Sequence, residues 1–525
     1  MRLKISGSDK RRINYHMPEI SSSNIRIAKN TAFLYARLLL LLVISLYTSR
    51  VVLQVLGVDD YGIYNVVGGV VVMFSFINGA LTTSTQRHLS FERGKEDGSL
   101  ARIFSACLNI HLLFGLIIVV LAETVGLWFV NTQMNFPEGK LPAVNWVYQF
   151  AIFTSFFNVV RTPYEASVIA YERMSFYAYI GILEAILKLL SVFLLKVLLF
   201  DKLIAFSALH LLVAGLIFGA FAFFSHSRLP DIRIIKVKDK SLYKYLFSFS
   251  GWTLLGSLAT LMETQGLNIL INIFWGVAVN AAVGIASQVR GALAQFVAGF
   301  QQALNPQLVM SQSSGQKERQ SDLIIKSSKF SFFILYILAL PLCVNLPYVL
   351  DLWLDIVPTY TAQICYLIIF VQIVECLASP LYTTIFAIGS IKNYQITVCA
   401  LRSCSLLLGF ILCKLGVAPY LVFLGPCAIA IVLLLYRLFF VSRKIAFSIR
   451  GYFTKTLLPV TLVAVLSAVP ILVYKSFISY QLSFWILVLE TTLFVVFISL
   501  LVYFVGLSES ERHRIKSVMY SKLGL

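Results

Sequence analysis

The amino-acid sequence predicts an all-α protein that crosses a membrane about fourteen times. Of its 525 residues, 59% are hydrophobic and only 13% are charged, a balance that soluble globular domains do not need. Apolar segments of about 20 residues, the length that spans a hydrocarbon core of roughly 30 Å, recur from residue 32 onwards. An internal repeat further predicts two similar six-helix lobes. A membrane β-barrel would instead show short alternating strands, and the sequence lacks that pattern.

The repeat is centred on residues 50–87. There an apolar helix ends in the turn Gly57-Val58-Asp59-Asp60, and a second apolar helix rich in glycine follows. The glycine-valine turn recurs at Gly276-Val277. Because six spans separate the two second helices, both run in the same direction, which makes the repeat parallel, with a site expected between the lobes near mid-membrane. A shift of 222 residues matches Gly62, Ile63, Val67, Gly69 and Phe74 with Gly284, Ile285, Val289, Gly291 and Phe296.

Hydropathy divides the chain into two lobes and a C-terminal pair of spans. We expect a basic cytosolic segment at 1–31, an N-lobe at 32–226, a basic linker at 227–244, a C-lobe at 245–442, and two further spans with a cytosolic tail at 443–525. The predicted spans are 32–54, 61–83, 103–129, 144–170, 176–199, 203–224, 245–274, 278–304, 330–350, 364–388, 396–415, 420–440, 457–474 and 484–505.

The positive charge follows the topology. The formal net charge is +19, and most lysines and arginines fall in the N-terminal segment, the central linker, the other inner loops and the tail. Such a bias marks cytosolic loops in membrane proteins, so both termini are expected in the cytosol and nucleic acid is not expected as a partner. The eight cysteines lie in or at the ends of apolar segments without a CxxC spacing. We interpret them as packing residues, with no metal site.

Charged side chains inside the spans are the candidate functional residues, since burying one at mid-bilayer costs about 2.5–3.5 kcal/mol on insertion scales. Arg50 and Arg290 have no obvious partner within their own helices and are the first candidates for an anionic substrate. Gln301 and Asn305 share a face of their helix with Arg290, so that face is predicted to line a lumen, and the stripe of Gln288, Gln295 and Gln302 is predicted to pack inside the lobe. The remaining candidates are Arg161, Arg402 and Asn78 for substrate, and Glu263 and Glu375 for coupling to H⁺ or Na⁺.

Two charged pairs have an alternative interpretation. Arg161 with Glu165, and Glu184 with Lys188, are spaced i, i+4, so each pair could neutralise itself within one helix. The sequence contains no phosphate-binding GxxxxGK[ST] motif, and its outer loops are too short for catalytic machinery. We therefore do not expect an enzyme or a resident cofactor.

Residues 46–94 resemble the N-terminal signature of Wzx-type O-antigen flippases, a branch of the multidrug/oligosaccharidyl-lipid/polysaccharide exporter superfamily. The matching motifs are Arg50 through Leu56-Gly57, then Tyr61-Gly62-Ile63-Tyr64, and finally Thr85-Gln86-Arg87. The resemblance implies a V-shaped central cavity and alternating access. It also implies an undecaprenyl-pyrophosphate-linked oligosaccharide substrate, and a role in lipopolysaccharide or other surface polysaccharide synthesis at the bacterial cytoplasmic membrane.

Three other functions are compatible with the sequence. A cation-coupled drug or lipid-precursor exporter of the same superfamily should favour acidic cavity residues. A membrane glycan polymerase or acyltransferase should carry catalytic residues in an outer loop or paired within the membrane. A non-transporting scaffold of glycan assembly is the third. For a flippase we expect a monomer in the bilayer, with a glycan polymerase and glycosyltransferases as partners.

Overall fold

The computed structural model describes residues 20–74, short pieces between 81 and 93, and residues 99–171, 173–197, 200–248, 251–313, 316–388, 392–445, 447–477 and 483–513. Side chains are described from Leu40 onwards, with gaps that include most of 247–257 and several positions between 299 and 315. Residues 44–525 form one compact unit. Of the separate unit 1–43, only the helix that begins at Ile20 is described.

The described residues are almost entirely helical and contain no strand. A kink at Gly57 divides the first helix into two arms, π-helical turns interrupt two other helices, and a 3-10 turn begins one and a π-helical turn ends another. The helices are α1 (Ile20–Phe74), α2 (Leu100–Gln133), α3 (Leu141–Ala170), α4 (Met174–Leu195), α5 (Lys202–Arg228), α6 (Lys240–Ser248), α7 (Gly251–Trp275), α8 (Val277–Ser313), α9 (Lys317–Val344), α10 (Leu346–Leu354), α11 (Thr361–Ile388), α12 (Lys392–Lys414), α13 (Pro419–Lys444), α14 (Ile449–Phe477) and α15 (Phe484–Gly506).

The helix pattern agrees with the predicted fold class and span count. Twelve segments among the described residues are long and apolar enough to cross a membrane. One of them, Leu40–Met73, contains the kink at Gly57 and so holds two predicted spans. Helix α7 occupies the position of a further predicted span.

The two repeated turns have the same backbone geometry. Gly57 has φ 80° and Gly276 has φ 77°, the left-handed region that glycine enters without steric cost. Each glycine is followed by a valine and then by a long helix, α1 after the kink and α8 respectively. The same reversal at matching points of the repeat confirms the turn that the sequence predicted.

Helix packing separates two groups, which we call the N-half (residues 44–228) and the C-half (251–444). Within the N-half, α3 packs against α2 and α5, and α4 packs against α5. Within the C-half, α8 and α13 pack against α11, and α7 packs against α12. Each of these contacts joins helices of one half, which gives each half its own packing.

The last two spans pack on α9 of the C-half. Buried Lys329 lies 2.6 Å from Glu511, and the Tyr336 hydroxyl donates to the Ala464 carbonyl at 3.0 Å. Burial alone would raise the pKa of Glu511, but hydrogen bonds from Lys329 and from the Ser508 main chain lower it below its usual value. On the outer face α14 and α15 expose large apolar side chains, as expected for helices in lipid.

Two predicted boundaries differ from the structure. The linker predicted at 227–244 ends earlier, because Asp239 caps α6 by accepting from the main-chain N–H groups of Ser241 and Leu242 at 2.8 and 3.3 Å. The span predicted at 330–350 is divided at Asn345, where α9 ends and the short helix α10 begins.

Candidate functional site

The two halves meet where the second arm of α1 crosses the start of α8. A Cβ atom on Gly62 would lie 2.0 Å from the Val277 carbonyl oxygen, and one on Gly284 would lie 2.8 Å from the side chain of Asn65. Gly62 and Gly284 are the residues that the 222-residue shift superimposes. Each glycine therefore admits the other half at an equivalent position, and at Gly62, where the neighbour is main chain, only a hydrogen fits.

Amide side chains extend this contact. Gln288 of α8 accepts from the Ser49 hydroxyl and donates to the Tyr61 hydroxyl at 2.6 Å. Asn272 of α7, fully buried, accepts from the main-chain N–H of Asn135 at 2.8 Å and donates to its carbonyl at 3.1 Å. These bonds join the C-half to α1 and to the loop between α2 and α3.

Helix α10 of the C-half closes over the first arm of α1. The Trp353 indole N–H donates to the Leu46 carbonyl at 2.7 Å, and the Gln54 amide donates to the Asp355 carboxylate at 3.0 Å. Asp355 adopts φ 68°, uncommon for a residue with a side chain. We refer to the bonds made by α10 and Asp355 to α1 as the α10 contact.

Arg50 belongs to the α10 contact. Its guanidinium donates to the Leu352 carbonyl at 3.1 Å. The sequence predicted that Arg50 faces a lumen as a substrate ligand, but the structure places it on a main-chain acceptor of the opposite half. Successive spans run in opposite directions across the bundle. The turns at Gly57 and Gly276 therefore lie at the same end as Arg50 and α10, and we call it the Gly57 end. The charge pattern predicts that this end faces outwards.

Four charged residues on four helices form the C-half ion cluster: Glu263 of α7, Glu375 of α11, Arg402 of α12 and Arg437 of α13. Arg402 binds both carboxylates, pairing with Glu263 and lying 3.0 Å from Glu375. Arg437 lies 3.1 Å from Glu375, and its Nε donates to the Tyr394 hydroxyl at 2.9 Å. The two predicted coupling carboxylates are thus already bound by guanidinium groups.

Arg290 adds an unbalanced charge to this cluster. It is half-buried on α8 and within electrostatic range of Glu375, Glu263 and Arg402. Among the described side chains, no carboxylate lies within 4 Å of its guanidinium. Three arginines and two glutamates leave one positive charge without a close partner. Sequence analysis singled out Arg290 for this property, although the neighbouring cluster was not predicted.

The N-half contains a neutral counterpart, the N-half ion chain of Arg161, Glu165, Glu184 and Lys188. Arg161 lies 2.8 Å from Glu165 and 3.2 Å from Glu184, and Lys188 lies 2.7 Å from Glu184. The two pairs that the sequence interpreted as separate are joined across α3 and α4 by Arg161. Both carboxylates already engage this arginine, which argues against the predicted role of Arg161 as a free substrate ligand.

Two glutamines of α8 make contacts other than those that the predicted stripes imply. Gln288, predicted to pack inside a lobe, binds the N-half, as described above. Gln301, predicted to face a lumen, donates to the Ser331 hydroxyl at 3.2 Å and accepts from the Ser379 hydroxyl at 2.9 Å inside the C-half. The reason is that α8 lies between α1 and α11, so both stripes have a protein neighbour. Asn78 and the side chain of Asn305 fall outside the described residues.

Sequence reasoning missed Arg437 and Trp353. Arg437 lies three residues before the predicted end of its span, where a long cationic side chain normally reaches the membrane surface. The signal that could have identified it is Glu375, a carboxylate in the middle of a span that requires a cationic partner. Trp353 lies in what the sequence predicted to be an outer loop, and nothing in that loop indicates a contact with Leu46.

Comparisons with known proteins identify the fold. No family model and no curated protein sequence matches the chain. The solved structure of the lipid II flippase MurJ in an inward closed conformation is similar over 90% of this chain and 99% of its own, with 13% identity and a TM-score of 0.69. An inward-facing multidrug resistance MATE family transporter of the MOP superfamily covers 76% of this chain and 95% of its own, with 14% identity and a TM-score of 0.59. An outward-facing MATE family transporter covers 78% and 96%, with 12% identity and a TM-score of 0.53. The chain has the membrane-transporter fold that MurJ and the MATE transporters of the MOP superfamily share.

Proposed function

We propose that the chain is a flippase that moves an oligosaccharide linked to a lipid pyrophosphate across the bacterial cytoplasmic membrane by alternating access. The oligosaccharide is a precursor of O-antigen or of another surface polysaccharide. Two lines of support are the fold, shared over nearly the whole chain with a lipid II flippase, and the signature at residues 46–94.

The observation that carries the proposal is the uncompensated guanidinium of Arg290. A lipid pyrophosphate is anionic, and a guanidinium binds phosphate oxygens through two parallel hydrogen bonds. The two carboxylates of the C-half ion cluster are already balanced by Arg402 and Arg437, so the positive charge of Arg290 beside them is left over. An arriving phosphate would supply the missing negative charge.

The contact between the halves supports alternating access. In this conformation the Gly57 end is closed by the reciprocal glycines, by Gln288 and by the α10 contact. Since that end is predicted to face outwards, the substrate would be received from the cytosolic side. Opening requires the loss of neutral hydrogen bonds and of bonds with one charged partner, each contributing about 0.5–3 kcal/mol to stability.

The same geometry argues against the cation-coupled drug exporter. Such a transporter needs carboxylates that a cationic substrate or an inorganic cation can reach. Glu263 and Glu375 are occupied by Arg402 and Arg437. We infer that these carboxylates act as counter-ions that hold the arginines in place.

Reconstitution tests the proposal. Proteoliposomes would carry a fluorescently labelled undecaprenyl-pyrophosphate oligosaccharide, and translocation would be followed by its accessibility to an impermeant quencher. Losing a charge-assisted hydrogen bond costs roughly 1.5–3 kcal/mol, so we expect Arg290→Ala to slow translocation about 10- to 150-fold. Arg290→Lys keeps the charge but loses the paired hydrogen bonds, so its rate should fall between those of the wild type and Arg290→Ala, and Arg319→Ala, an exposed arginine on α9, should be unchanged. Absence of translocation by the wild type, or equal rates for Arg290→Ala and Arg319→Ala, would refute the proposal.

A further inference from the structure

A partly open cavity lies within the N-half, away from the C-half ion cluster. Its volume is about 300 Å³, and every residue that lines it belongs to α1, α3 or α5. This volume is at the lower end of the range for small-molecule sites, roughly 300–1,000 Å³. The lining includes Tyr64 and Gly68 of α1, Thr154 and Asn158 of α3, and His210 of α5.

Four of the lining side chains present hydrogen-bonding atoms that no other described residue satisfies: the Tyr64 hydroxyl, the Thr154 hydroxyl, the Asn158 amide and Nε2 of His210. The His210 ring lies against Tyr64 and Phe206, with centroids 5.7 and 4.2 Å apart. Its Nδ1 is 3.2 Å from the Phe206 carbonyl. Because a carbonyl only accepts, Nδ1 must donate, and in the neutral tautomer Nε2 is then an acceptor.

Polar groups inside a membrane protein normally have partners. Here the Tyr64 and Thr154 hydroxyls and the Asn158 amide, which can each donate and accept, line the same cavity as the His210 ring. Hydroxyl groups on adjacent carbons of a sugar donate and accept in the same way. The Tyr64 ring adds an apolar surface beside them.

Charge restricts the ligand further. No charged residue lines the cavity. Lys188 and Glu184 of the N-half ion chain act electrostatically on His210. That chain contains two cations and two anions and is neutral as a whole, so the cavity offers no counter-ion to a charged ligand.

We propose that this N-half cavity binds one uncharged sugar ring, which for the proposed flippase is a residue of the oligosaccharide. The inference rests on the proposed function for the identity of the ligand, but the binding site can be tested without transport. The pyrophosphate would bind at Arg290 in the C-half, and a sugar would bind in the N-half. A substrate held by both halves would couple their movement.

Gly68 allows a direct test. A Cβ atom at Gly68 would meet nothing within 4 Å, and Gly68 lines the cavity, so Gly68→Leu is expected to fill part of it. Gly219 of α5 is also open, but it is exposed rather than part of the lining. Gly219→Leu is therefore the matched control. Thr154→Val, which removes one hydroxyl at nearly constant volume, is a second variant in case Gly68→Leu fails to fold.

The full chain in lipid nanodiscs would be examined by saturation-transfer difference NMR with glucose, galactose, N-acetylglucosamine and, as the anionic comparison, glucuronate. We expect a signal from at least one neutral sugar and a weaker one from glucuronate. Gly68→Leu should reduce the neutral signal at least fivefold, Thr154→Val should reduce it measurably, and Gly219→Leu should leave it unchanged.

The inference is overturned if no neutral sugar gives a signal, if glucuronate gives the stronger one, or if folded Gly68→Leu and Thr154→Val bind as the wild type does. Arg290→Ala should still bind sugar in this assay. Failure of the proposed function would instead appear as absence of translocation by the wild type, so the two failures can be distinguished.

Discussion

The reciprocal glycines give the sharpest prediction about how the halves separate. Gly62→Ala places a methyl group 2.0 Å from the Val277 carbonyl oxygen. Real Cβ contacts are essentially never shorter than 3.0 Å. The obstacle is main chain at the start of a helix, so it cannot rotate away as a side chain could. The second arm of α1 and α8 must therefore move apart by about 1 Å at this point.

The cost of that movement sets the expected effect. Overpacking a well-packed contact typically costs about 1–3 kcal/mol. If the conformation with the Gly57 end open relieves the clash fully, the ratio of open to closed molecules rises about 5- to 150-fold. Alanine also favours a helix over glycine by about 0.8–1.0 kcal/mol. Gly68→Ala carries the same propensity gain in the same helix, with nothing within 4 Å of its Cβ, and serves as the control.

Distance measurement between the halves provides the assay. Spin labels at Asp59 of α1 and Asp351 of α10, both exposed, would be introduced after the eight native cysteines are replaced. Double electron–electron resonance in proteoliposomes should show a population at longer distance for Gly62→Ala. Gly68→Ala should give the wild-type distribution. Identical distributions for the two variants would show that the contact at Gly62 does not control closure, and the reasoning would be wrong.

Three further predictions follow from the polar contacts. Trp353→Phe removes one bond between the halves, and because such a bond contributes about 1 kcal/mol, the open population in the same spin-label assay should rise about fivefold. Glu375→Gln leaves two guanidinium groups without their shared carboxylate. Because breaking a buried pair costs roughly 3–5 kcal/mol, thermal unfolding in detergent should occur at a clearly lower temperature. Combining Glu375→Leu with Arg437→Leu should recover much of this loss of stability. Glu511→Gln should destabilise the protein at neutral pH by removing the partner of Lys329. The pKa of Glu511 lies below its usual 4.5 in the folded chain. The stability that the Lys329–Glu511 ion pair contributes is therefore complete above pH 4.5 and is lost on acidification below it. The difference in unfolding temperature between wild type and Glu511→Gln should therefore shrink below about pH 4.5, and a difference independent of pH would contradict this account.

The spans and the turns between them could be predicted because their signals are local. A run of about 20 apolar residues is needed wherever a helix crosses lipid, and the chain satisfies this one span at a time. The turns at Gly57 and Gly276 were also predictable, since a left-handed residue before a helix favours glycine. Neither signal requires knowledge of which helices are neighbours.

The partners of the polar residues could not be predicted in the same way. A helical wheel gives the angle between Gln288 and Arg290 on α8, but it does not say that α1 lies on one side and α11 on the other. The contacts of Gln288 and Gln301 therefore differ from those predicted. The ion pairs of Arg402 and Arg437 were unpredictable for the same reason. Their carboxylate partners lie on helices that are distant in sequence and converge only in the folded C-half. The assignment of the candidate residues to particular contacts depended on tertiary packing.

The distribution of charge explains how such a molecule could rock without coming apart. Among the described residues, no ion pair joins the N-half to the C-half. The bonds that cross between the halves pair neutral groups or a single charge with a neutral acceptor or donor, and because water can replace the lost partner, each costs only about 0.5–3 kcal/mol to break. The buried ion pairs lie inside the halves, where separating the partners would leave a charge without compensation. Movement between the halves is therefore much less costly than movement within them, and a substrate that brings its own negative charge to Arg290 changes the electrostatics of one half without breaking its ion pairs.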